Sequence, residues 1–90
     1  AQIEQWLAQA LPESEHCLMA VEDERKGERL VLLTTAVGLQ RQQLQAIILS
    51  FGGSELMLPR SIIQQDNLPL LGSGKFDYAT MQKMAEAVTR

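Results

Sequence analysis

Pro59-Arg60-Ser-Ile-Ile-Gln-Gln-Asp-Asn67-Leu68-Pro69-Leu70-Leu71-Gly72-Ser73-Gly74-Lys75-Phe76-Asp77-Tyr78 contains a short strand, a loop and the start of a helix. Ser61 to Gln65, behind Pro59, is the strand, and Asp77 is placed to cap the helix. The Gly-Ser-Gly-Lys run between them invites a phosphate-loop interpretation. A Walker A loop needs a glycine five residues before Gly74, where Pro69 stands, and a Ser or Thr after the lysine, where Phe76 stands. It is not a Walker loop. What remains is a mobile lysine: Gly72 and Gly74 remove bulk on both sides of Ser73, while Pro69 and Asp77 fix the ends. Inserted into a partner cavity, such an ammonium stabilises phosphate or carboxylate charge. By spacing alone, a solvated turn lysine is the alternative.

Upstream, Ile3, Trp6, Leu7, Ala10 and Leu11 recur on one face of a helix that Pro12 ends. His16 to Val21 is apolar on both alternating faces, as in a buried strand. The polar stretch Glu22 to Glu28 follows, with Gly27 available for a turn, and Leu30 to Thr35 forms a second strand. These two predict an antiparallel hairpin with a long, charged loop. Leu44, Ile47, Ile48 and Phe51 mark a second helix, stopped by Gly52 and Gly53. The strand at Ser61 then returns to the same sheet by a right-handed crossover. Downstream, Tyr78, Met81, Met84 or Ala85, and Val88 predict the apolar face of the last helix. The order α-β-β-α-β-α implies an α+β fold, a small three-stranded sheet covered by helices.

The 90 residues are expected to form one domain, 1–90. Net charge is −3, which argues against nucleic acid as a partner. Residues 1–28 hold seven acids and two bases, whereas residues 29–90 hold six bases and four acids. Arg25, Lys26, Arg29, Arg41 and Arg60 are candidate contacts for an acidic partner protein, although scattered surface charge of this kind is ordinary. Cys17 is the single cysteine, so no internal disulfide forms. No apolar run is long enough to span a bilayer. The chain opens within a helical pattern and without Met, so it is expected to be a piece of a longer protein.

Other clusters carry less. His16 and Cys17 are neighbours on a strand and point to opposite faces, so they cannot act as base and nucleophile. One His and one Cys are too few for zinc. Glu22, Asp23 and Glu24 are consecutive loop acids, solvated rather than a metal cage. No metal site is expected.

The whole set of landmarks resembles a known family. Pro59-Arg60, an aliphatic strand, Leu68-Pro69 and Gly72-Ser73-Gly74-Lys75-Phe76-Asp77 is similar to the terminal motif of adenylate-forming enzymes. These include acyl-CoA synthetases, luciferases and peptide-synthetase adenylation domains. Gly27-Glu28 before an aliphatic strand resembles a second landmark, and the likeness runs from about Ile3 to the C-terminus. Most of the family has Lys-Thr-Pro-Ser-Gly-Lys where this chain has Leu70-Leu71-Gly72-Ser73-Gly74-Lys75. That departure, together with Glu55-Leu-Met-Leu-Pro-Arg60, resembles a bacterial subgroup that joins an acyl-acyl-carrier-protein synthetase to a lysophosphatidylethanolamine acyltransferase.

The resemblance implies the C-terminal domain of such a ligase, with the N-terminal adenylation domain of the parent chain as its partner. It implies ATP with Mg2+ as cofactors of the parent, none bound by this domain alone, and a fatty acid and acyl carrier protein or CoA as substrates. Lys75 is the implied catalytic residue, and Gly72, Ser73 and Gly74 form the substrate or nucleotide loop. The hinge on which the family's small domain swings would lie upstream of Ala1. A cytoplasmic domain is implied, with membrane attachment of the parent left open. A generic carboxylic acid:CoA ligase is an alternative, and so is an interaction module that retains the fold without catalysis.

Overall fold

The computed structural model describes residues 2–25 and 27–88. Its centre is β2 (Gly27–Thr34), whose last four residues, Val31 to Thr34, are all buried. Consecutive burial of this kind requires cover on both faces. β1 (His16–Asp23) lies antiparallel along one side, pairing Leu18 with Leu32 and Ala20 with Leu30. β3 (Ser61–Gln64) lies parallel along the other, pairing Leu32 with Ile62. The order is β1-β2-β3, and the parallel pair is the expected return crossover.

Side-chain alternation divides the core in two. Cys17, Met19, Val21, Val31 and Leu33 face α3 (Tyr78–Val88), which contributes Met81 and Ala85. Leu32 faces the other way, toward α1 (Gln2–Ala10) and α2 (Arg41–Ser50), which supply Ile3, Leu7, Leu44 and Ile48. Leu7, Leu32 and Leu44 are fully buried, each stabilising the fold by about 1.5–3 kcal/mol. Trp6 stacks on Phe51 at 5.7 Å and ties α1 to the end of α2. Gly52, at φ 87°, supplies the left-handed residue that ends α2.

The edge of β1 is covered by side chains. Glu4 accepts the Leu18 N–H at 2.8 Å, and Gln82 of α3 donates to the Ala20 carbonyl at 3.0 Å. His16 and Cys17 point to opposite faces as expected. His16 Nε2 donates to the Leu11 carbonyl at 3.1 Å, and its Nδ1 lies 2.9 Å from the Thr34 hydroxyl. Burial, with the Glu4 carboxylate second, pushes the Cys17 thiol up to about 11.

Two expectations are corrected, and one element went unread. The hairpin loop is short, because β1 continues through Glu22 and Asp23 and β2 begins at Gly27. Backbone pairing proceeds whatever the polarity of the side chains, and those of Glu22 and Glu28 simply stay in solvent. Tyr78 and Val88, at the two ends of α3, are 59% and 50% exposed, so its buried face is Met81 and Ala85 with Met84 half-buried beside them. A 3-10 turn at Glu55–Met57, capped by the Ser54 hydroxyl at the Leu56 N–H (3.0 Å), had no clear signal.

Candidate functional site

The loop that carries Lys75 is a small hairpin with its root in the core. Leu68 is buried beside Met81 and Leu33, and Phe76 packs half-buried against the same cluster. The two loop ends are bonded to each other, the Asp77 N–H donating to the Pro69 carbonyl at 2.9 Å. Leu70 and Phe76 form an antiparallel bridge, and the Leu71 N–H donates to the Lys75 carbonyl at 2.7 Å. The Gly74 N–H closes the turn on the Leu71 carbonyl at 2.9 Å. Gly72, Ser73 and Gly74 are thus a three-residue hairpin loop, with Gly74 at φ 89° in the position that calls for a left-handed residue.

Asp77 joins the hairpin to α3. Its carboxylate accepts the Thr80 N–H at 3.1 Å and the Thr80 hydroxyl at 2.7 Å. These bonds hold its carboxyl below the usual carboxylate range. Phe76 meets Tyr78 edge to face at 6.0 Å, which steadies the exit from the loop.

Lys75 is exposed at this tip, and its side chain makes no hydrogen bond or ion pair with any described residue. Two surface grooves lie elsewhere: one by the β1–β2 turn, the other between the end of α1 and α2. Lys75 lines neither of them and presents its charge outward. Among the described residues no cluster of His, Cys, Asp and Glu could hold a metal ion. No described helix is long and apolar enough to cross a membrane.

The candidate partner contacts do not gather into one cationic patch. Arg25, Arg29 and Arg60 line the groove beside the hairpin turn, together with Glu22, Asp23, Glu24, Glu28 and Glu86. Arg29 lies 4.0 Å from Asp23. The Arg41 guanidinium donates to the carbonyls of Pro59 and Arg60, both at 2.9 Å, and so anchors the entry to β3. Lys26 lies outside the described residues. The hairpin around Lys75 went unread at the sequence level, although its signal was present: a three-residue loop ending in glycine, inside the apolar pair Leu70 and Phe76.

No family model matches this sequence. Solved structures do match the fold. MatB from Rhodopseudomonas palustris is similar over 99% of this chain and 18% of its own, at TM-score 0.78 and 19% identity. A fatty acyl CoA synthetase from Mycobacterium tuberculosis matches over 96% of this chain and 17% of its own, at TM-score 0.77 and 20% identity. The amide bond synthetase McbA from Marinactinospora thermotolerans matches over 92% and 17%, at TM-score 0.75 and 20% identity. The chain thus spans under a fifth of the length of each. At such identities the likeness is one of fold: this α+β domain has the fold of a small portion of adenylate-forming enzymes.

Proposed function

We propose that this chain is the mobile C-terminal domain of an ATP-dependent fatty-acyl ligase and that Lys75 is its catalytic residue. The supporting observation is the hairpin, which holds an uncommitted lysine on an exposed, core-rooted tip in a fold shared with acyl-CoA synthetases. In the first half-reaction a carboxylate oxygen of the fatty acid attacks the α-phosphorus of ATP. The bond to the departing phosphates breaks, giving acyl-adenylate and pyrophosphate. Negative charge accumulates on the oxygens between acyl carbon and phosphorus, and the Lys75 ammonium, docked against the adenylation domain, stabilises it there. In the second half-reaction a thiol attacks the acyl carbon and AMP leaves, with Lys75 rotated away by the swing of the domain.

The acceptor we propose is acyl carrier protein, in a parent enzyme that also acylates lysophosphatidylethanolamine. It rests on the resemblance of residues 55–60 and 70–75. Fold similarity to a fatty acyl CoA synthetase favours CoA as the second candidate. The test is fatty-acid-dependent ATP–pyrophosphate exchange by the ligase that carries this domain, followed by transfer to each thiol. Exchange that needs no fatty acid, or that the 90-residue chain performs unaided, contradicts the proposal.

A further inference from the structure

The two edges of the sheet are finished differently. On β1 the outward Leu18 N–H and Ala20 carbonyl are taken by Glu4 and Gln82. On β3 the Gln65 N–H donates to the Thr34 carbonyl at 3.0 Å, which fixes the phase of the parallel ladder. Alternate residues turn their backbone groups toward β2, and Ile62 and Gln64 between them turn their N–H and carbonyl groups away from it. Among the described residues nothing bonds to those outward groups. α1 packs over β1, and α3 over β1 and β2, so β3 stands at the open side of the sheet. Its Ser61, Ile62 and Ile63 are half-buried and Gln64 is exposed. The Ser-Ile-Ile-Gln sequence holds no lysine, proline or other residue of the kind that commonly blocks an edge strand.

We propose that this edge is an interface between two copies of the chain, β3 of each running antiparallel to the other about a twofold axis at Ile63. The strand is self-complementary in that register. Ile62 of one copy faces Gln64 of the other, and each such pair exchanges an N–H and a carbonyl both ways, so every outward group is satisfied. The two Ile63 residues meet as a pair without hydrogen bonds, Cα atoms about 4.5 Å apart, and cover each other's apolar surface. Just beyond the strands, the same register brings Arg60 of each copy opposite Asp66 of the other; both are exposed and their charges are opposite. A shift of two residues in either direction separates Arg60 from Asp66, so charge selects this alignment. The outermost strands of the pair are then the two β1 edges, already covered by Glu4 and Gln82, and assembly stops at two. The pairing uses no residue of the Lys75 hairpin and stands independently of the role proposed for Lys75.

Short strands form few bonds, so the dimer is weak: sedimentation equilibrium of the 90-residue chain should give a dissociation constant of about 0.1–1 mM. In a mixture of isotope-labelled and unlabelled chain, NMR should show a contact between the Ile63 Hα of one copy and that of the other. Arg60→Asp and Asp66→Arg should each weaken association by about 10-fold or more, because like charges then oppose each other, and the double variant should restore it. Both positions are exposed, so the amide spectra of the dilute variants should match wild type away from the substitutions. A chain that stays monomeric at about 2 mM overturns the proposal and leaves the edge to an extended segment of another protein. A dimer that is indifferent to the single charge reversals, or that lacks the Ile63 contact, is joined through some other surface and also overturns it.

Discussion

The backbone N–H of Leu71 donates to the carbonyl of Lys75 at 2.7 Å, closing a hairpin where a freely hinged loop was expected. The lysine is carried on a short hydrogen-bonded hairpin whose ends are rooted through Leu68 and Phe76.

Hydrogen exchange should resolve this hairpin residue by residue. The amides of Leu71, Gly74 and Asp77 donate to backbone carbonyls and should exchange more slowly than that of Ser73. Uniformly fast exchange from residue 70 to residue 77 would mean that the hairpin does not persist in solution.

Glycine substitutions separate conformation from packing. Gly74, at φ 89°, has open space around it, so Gly74→Ala should cost about 1–2 kcal/mol through backbone strain alone. Gly53 is the opposite case: an added Cβ would lie 2.7 Å from both Ile48 Cγ2 and Trp6 Cζ3. Gly53→Ala should cost about 1–3 kcal/mol by overpacking the seam between α1 and α2. Gly72 has neither a positive φ nor a close neighbour, so Gly72→Ala should shift stability by less than about 0.5 kcal/mol. Urea unfolding of the three variants checks the order.

The pH dependence of stability should have two assignable limbs. The Asp77 carboxyl is depressed below 3.8 by the Thr80 bonds, so its contribution is present above that pH and lost as pH falls through the depressed value. The Cys17 thiol is raised from 9.0 to about 11, so its contribution is present below 9.0 and lost as pH rises toward 11. Urea midpoints across pH should show a weaker acid limb in Asp77→Asn and a weaker alkaline limb in Cys17→Ala. Unchanged limbs would contradict both assignments. At neutral pH Cys17 should resist alkylation until the chain unfolds.

Much of this architecture was legible in the sequence because it depends on period and punctuation. β1 and β2 are continuous apolar runs, and the apolar positions of α1 and α2 recur at helical spacing. Gly52, Gly53 and Asp77 mark helix ends by chemistry that needs no tertiary context. Lys75 was legible as a lysine on a glycine-rich loop, but its hairpin was not, since Pro69 and the paired glycines read as irregular loop. Arg41 looked like surface charge because its partners, the carbonyls of Pro59 and Arg60, are distant in sequence. The polar residues at Glu22 and Glu28 hid two further rungs of the sheet for the same reason: pairing is a property of backbone, not of side-chain polarity.

In the role proposed for it, Lys75 supplies charge to adenylation and to nothing else. Both half-reactions should be measured separately in the intact ligase, wild type against Lys75→Ala. Acyl-adenylate formation should fall by about 10²–10³-fold, the effect of removing one charged donor from a dry site. Thiol transfer started from synthetic acyl-adenylate should stay close to wild type, and Lys75→Arg should rescue the first step poorly because a planar fork does not fit a point-charge site. Equal losses in the two steps, or no loss in the first, would contradict it.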